Sequence, residues 1–195
     1  MKKSIILLIL LVAFSILAVV GIFAHDETTT TATPAAPGSN IWNAGQEPTN
    51  WWNEIRNLHG HVGPWNVLGW RIGKAALREL HSTWGQHELD IVCCLPLKTP
   101  YSCMADGLVV GTGNSLGRLD IRLAETLAMA DIHVSVRRKD GTGPVLLLKP
   151  NQKYMEKIRH APDDQLALLA RECGELPEKD LFVIELVPSS ETGPK

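Results

Sequence analysis

Gly69 and Gly73 recur four residues apart inside an apolar stripe made by Val67, Leu68, Ile72, Ala75, Ala76 and Leu80. That periodicity predicts a helix opened by Pro64, whose missing N–H is harmless in a first turn. Arg71, Lys74, Arg78 and Glu79 fall off the stripe. Two glycines one turn apart give such a helix a smooth groove, into which another backbone can come close. The spacing allows such a close approach without naming the element that makes it.

The segment before that helix carries chemistry. Asn50 to Leu58 places Trp51, Trp52, Ile55 and Leu58 at helical spacing, so a short amphipathic helix ends at His59-Gly60-His61. Two imidazoles one residue apart, with glycine between them and Gly63-Pro64 just beyond, can converge on one metal ion or one anionic substrate. The alternative is that they cap the neighbouring helix ends. His81, His87, His133 and His160 have no such company and read as ordinary surface or half-buried residues. Trp42, Trp51, Trp52, Trp65 and Trp70 either line a pocket or pack a small core, and packing is the favoured reading.

A second cluster follows about forty residues on. Tyr101 to Val110 reads as a helix entered after Thr99-Pro100, with Cys103 near its start and Asp106 one turn further on the same face. A helix start stabilises a thiolate, which favours Cys103 over Cys93 and Cys94 as ligand or nucleophile. Asp106 is read as a direct ligand or as the carboxylate that orients a histidine. Thr112, Gly113, Ser115, Gly117 and Arg118 form a glycine-rich turn with hydroxyl and guanidinium donors, read as a weak anion-cradling loop. Cys93 and Cys94 lie in the apolar run Leu89 to Leu95, a buried strand in which small hydrophobic thiols are expected. Whether Cys103 or Cys173 forms a disulfide stays open.

Downstream, Leu119 to Leu123 and Ile132 to Arg137 alternate as strands do. Asp140-Gly141 marks a tight turn into a strand at Val145 to Leu148. Tyr154 to Arg159 and Asp163 to Glu172 read as helices, the second with Gly174 beyond its end, and Leu181 to Val187 as a closing strand. Helices come early and strands pair later, so the expected fold is α+β, an antiparallel or mixed sheet packed with helices.

At the N-terminus, Lys2-Lys3 precede an uncharged apolar run from Ile5 to Ala24, read as a signal peptide or membrane anchor over 1–24. Residues 25–40 form a Thr/Ala/Pro tether, 41–188 the domain and 189–195 a tail. Either fate of the apolar run leaves the domain outside the cytoplasm, secreted, periplasmic or membrane-anchored. A net charge of −2 without any lysine-arginine run gives no footprint for nucleic acid. Membrane contact through an uncleaved N-terminus, a small-molecule ligand and a homodimer are left open as partners.

HGHVGPWNVLGWRIGKAAL and YSCMADGLVVGTGNSLGRLDI, in that order, resemble the FmdE family of formylmethanofuran dehydrogenase proteins. The resemblance implies an α+β domain that binds zinc or another transition metal through His59, His61 and Cys103, with Asp106 close by. It further implies a subunit or accessory of a formylmethanofuran dehydrogenase-like redox system. Gly63 stands where part of the family has cysteine, which removes one potential thiolate. The paired CxxC motifs that end many members are missing, so no C-terminal zinc ribbon is expected. The alternative from another class is a tethered, non-catalytic module that captures or senses a small ligand or metal.

Overall fold

The computed structural model describes residues 46–188. The expected export segment, the tether, Trp42 and the tail lie outside the described residues. No helix among the described residues is long and apolar enough to cross a membrane.

The chain runs α1 (Trp51–His59), α2 (Pro64–Glu79), β1 (Leu89–Leu95), α3 (Cys103–Thr112), β2 (Ile121–Glu125), β3 (His133–Arg138) and β4 (Val145–Pro150). It continues with α4 (Gln152–Ile158), α5 (Leu166–Glu175), a short α6 (Glu178–Leu181) and β5 (Phe182–Val187). The fold is α+β, with a five-stranded mixed sheet in the order β2-β1-β3-β4-β5. β1 pairs in parallel with β2, Cys93 opposite Leu123, and antiparallel with β3, Cys93 opposite Val134. The β3–β4 hairpin closes through the Asp140-Gly141 turn, where Asp140 accepts from the Thr142 amide at 2.9 Å.

One face of the sheet joins the helices in a single core. Leu89, Ile91, Cys93, Val134, Val136, Leu146 and Leu148 are fully buried together with Leu68, Ile72 and Leu108. The other face mixes half-buried apolar residues such as Val92, Cys94 and Leu147 with charged ones. On that side Asp90 accepts from Arg122 at 2.6 Å and from Arg137 at 3.0 Å. A face-by-face split of this kind suits a sheet covered on one side.

The glycine stripe of α2 meets α3. A Cβ on Gly69 would lie 2.0 Å from the Met104 carbonyl oxygen, and one on Gly73 3.0 Å from Thr112 Cγ2. α3 answers with glycines of its own at the same spacing. A Cβ on Gly107 would lie 1.8 Å from the Asn66 carbonyl oxygen, and one on Gly111 2.6 Å from that of Trp70. Each helix thus presents glycine where the other presents backbone. The result is a helix pair in near-backbone contact, with α3 buried along most of its length.

Several boundaries differ from the expectations above. α3 starts two residues late, because Cys103, Met104 and Ala105 make three-residue turn bonds to Pro100, Tyr101 and Ser102. It also runs through Gly111, which faces Trp70, and ends only at Gly113 (φ +70). β2 starts two residues late because Leu119 adopts φ 59 and Asp120 is bound by its side chain. Asp163–Gln165 is a 3-10 turn and α5 begins at Leu166. Gly174 therefore lies inside the helix, where a Cβ would sit 3.6 Å from the Trp51 ring. The short α6 carries no strong periodic signal and is not expected from the sequence.

Trp51 stacks on Trp70 with ring centroids 4.0 Å apart, and Trp65 meets Tyr101 edge-on at 5.1 Å. The four cysteines are free thiols, and Cys93 is wholly buried as a small apolar side chain.

Candidate metal centre

Two helix starts and one helix end converge on the site. α1 begins at Asn50, whose side chain accepts from the Asn53 amide at 3.1 Å, and stops at Gly60, which takes φ +92. A left-handed residue there is cheap only for glycine, and it turns the chain between His59 and His61. Their rings end with centroids 4.6 Å apart, tilted by 56°. α2 then starts behind Gly63, with Pro64 in its first turn.

Asn66 ties the two sequence motifs together. Its Oδ1 accepts from the Gly63 amide at 2.7 Å, and its Nδ2 donates to the Cys103 carbonyl at 3.2 Å. The residue is buried, so the histidine corner and the start of α3 are held at fixed separation. Reasoning from the sequence misses this residue. The available signal is a polar side chain at the third position of a helix opened by Gly-Pro, the place from which a side chain reaches back to the cap.

His59 Nδ1 donates to Asp106 Oδ2 at 2.6 Å. A carboxylate can only accept, so the hydrogen sits on Nδ1, and in the neutral ring Nε2 is the nitrogen with the lone pair. Of the two roles open to Asp106, this geometry is that of the carboxylate that orients a histidine. Cys103 lines the same cavity as His59 and His61. Its thiol is pushed up by burial and by the charge of Asp106, with only its own backbone amide acting the other way. The thiolate-favouring backbone expected at the helix start is outweighed, first by burial and then by the charge of Asp106.

Among the described residues, no three His, Cys, Asp or Glu side chains stand close enough to form a ready-made ligand set. The two imidazoles nevertheless fit a metal. They are adjacent, one is oriented by a carboxylate, and they share a cavity wall with a thiol.

The glycine loop turns its donors inward. Thr112 Oγ1 donates to the Leu108 carbonyl at 2.7 Å and accepts from the Asn114 amide at 3.1 Å. The Ser115 amide donates to Asp120 at 3.2 Å, and Ser115 Oγ accepts from the Arg118 amide at 3.2 Å. Arg118 Nε stands 4.0 Å from the same carboxylate. Gly113 is pinned against Gly85, and Gly117 faces open space. The loop therefore gathers around an anion of its own chain, Asp120.

Asp120 is fully buried and also accepts from His87 Nδ1 at 2.6 Å and from Lys139 Nζ. His87, read as ordinary from the sequence, is thus a structural partner, and its φ of 56° is part of the same arrangement. Burial opposes the charge on Asp120, but Lys139, His87 and the Ser115 amide outweigh it and hold the carboxyl below its ordinary 3.8. A lowered folded-state value means that the stabilisation is present above that ordinary value and is lost as pH falls through the folded one. Asp120→Asn should cost about 1–3 kcal/mol at pH 7. It should also flatten the loss of stability below the ordinary carboxylate range. Urea unfolding at neutral pH and near the acid limb checks both.

A family model described as FmdE, molybdenum formylmethanofuran dehydrogenase operon, matches residues 58–182. The chain belongs to the FmdE family. The matched span contains the histidine corner, α3 with Cys103 and Asp106, and the Asp120 cluster. A comparison with curated proteins finds no match. The FmdE domain is thereby related to formylmethanofuran dehydrogenase, and its sheet is the mixed form of the α+β fold expected from the sequence.

Proposed function

We propose that this FmdE domain is a metal-binding module that holds a transition metal, zinc foremost, at the histidine corner. His59 and His61 are its imidazole ligands and Cys103 its thiolate. Asp106 keeps the His59 ring in place. The observation that carries the reading is the 2.6 Å bond between His59 Nδ1 and Asp106, which leaves Nε2 as the ligating nitrogen. With at most three protein donors, a coordination position remains for water or a ligand, as in zinc sites that do chemistry. The Lys2-Lys3 apolar run supports placing the module outside the cytoplasm, tethered or released, as an accessory of a formylmethanofuran dehydrogenase-like redox system. Capture of a small ligand without turnover is the second reading, favoured by the cavity that the histidines share with Cys103.

Two variants test the geometry by competition titration with zinc. Asp106→Asn removes the charge behind His59 and should weaken zinc binding by about tenfold or more. Gly63→Cys should act in the other direction. Gly63 has extended backbone (φ −119, ψ 168), and a Cβ there would sit 3.5 Å from His61 Nε2, an ordinary contact. The added thiol therefore lies beside the histidine pair and should tighten the site. Equal affinity in wild type and both variants would place the metal elsewhere.

A further inference from the structure

We propose that the cavity beside the histidines binds a small organic carboxylate, and that Arg159 anchors its oxyanion. The inference deepens the reading above by naming the class of ligand that shares the site. The cavity holds about 380 Å³, within the roughly 300–1,000 Å³ usual for small-molecule sites. Pro64, Trp65 and Pro100 give it an apolar wall, and Arg159 brings a cation to the same space as His59 and His61.

Arg159 is held in position. Its Nη1 donates to both Glu156 oxygens at 3.0 and 3.2 Å, and its Nε to His160 Nε2 at 2.9 Å. Nη2 makes no bond among the described residues, so a fixed guanidinium keeps one nitrogen for an incoming acceptor. A preset guanidinium loses less entropy on binding an oxyanion than a free side chain does. Trp65, a wall of the same cavity, has a buried Nε1 without an acceptor, a second donor left unpaired.

The cavity is one lobe of a longer cleft. His61, Asp163 and Leu166 also line a second lobe of about 540 Å³, which contains Trp52 and Arg56. Arg56 forms no ion pair among the described residues. Each lobe therefore has one arginine in its lining, and the two lobes share His61 and the carboxylate of Asp163. An apolar body against Pro64, Trp65 and Pro100, with its carboxylate on Arg159, matches these walls and charges. Inorganic phosphate offers the same oxyanion chemistry but nothing for the apolar wall, so it is expected to bind more weakly.

Benzoate and inorganic phosphate, titrated calorimetrically into metal-free and zinc-loaded protein, test the proposal. Benzoate should bind both forms and outcompete phosphate. Arg159→Gln should weaken benzoate about tenfold or more while zinc stoichiometry and melting temperature stay unchanged, and Arg159→Lys should recover part of the loss. Absence of benzoate binding, equal affinity in Arg159→Gln, or phosphate binding as tightly as benzoate would each overturn it. Benzoate that binds only with zinc, and is lost in His59→Ala/His61→Ala but not in Arg159→Gln, overturns the anchor and leaves the metal reading intact. Benzoate held by Arg159 in a protein that takes up no zinc supports the anchor and removes the metal.

Discussion

Gly107→Ala is expected to destabilise the domain by about 3 kcal/mol or more, the upper end for overpacking, and to lower its melting temperature by roughly 10 °C. The added Cβ would lie 1.8 Å from the Asn66 carbonyl oxygen and 2.7 Å from the Trp70 amide nitrogen, and both are backbone atoms that no rotamer change can move. α2 and α3 would have to separate along the crossing that Gly69, Gly73 and Gly111 also serve. The damage should reach the site, because the start of α2 carries the Gly63–Asn66 lock and the start of α3 carries Cys103 and Asp106. Gly117→Ala is the control, since nothing lies within 4 Å of a Cβ there; its effect should stay within about 0.5 kcal/mol. Equal thermal melts for the two variants would contradict the close crossing.

The histidine corner was legible because every signal in it is local. Gly60 turns the chain and Pro64 restarts the helix, both within five residues of His59. The groove of Gly69 and Gly73 was legible as room for a closely approaching backbone. Its occupant was not, because α3 is apolar nearly all round and has no stripe to show which side Gly107 and Gly111 face. The pairing of β1 with β2 in parallel was equally hidden. Alternation shows that a strand has two faces but not which strand lies beside it.

Long-range polar pairing was the other blind spot. His87 and Asp120 are 33 residues apart and meet where the Ile91 amide of β1 binds the Asp120 carbonyl, with His87 and Leu119 both in left-handed backbone. No spacing rule reaches that far. Asp106 shows the intermediate case. Its two possible roles were legible from its place one turn after Cys103, and the choice between them needed the position of His59, 47 residues away.

One metal on the two imidazoles of the corner is the central claim. The measurement is zinc content by elemental analysis of untagged protein, wild type against His59→Ala/His61→Ala, after equilibration with buffered zinc. The double variant should keep its fold. His59 closes α1 with its side chain only partly buried, and Gly60 still ends the helix through its own backbone bond to Arg56 at 2.8 Å. Loss of both imidazoles should weaken binding by far more than the roughly 10–100-fold that attends loss of an outer-shell partner. Stoichiometric zinc is expected in the wild type and almost none in the variant, at matching melting temperatures of the metal-free forms. Zinc absent from the wild type, or equal in both proteins, would contradict the claim.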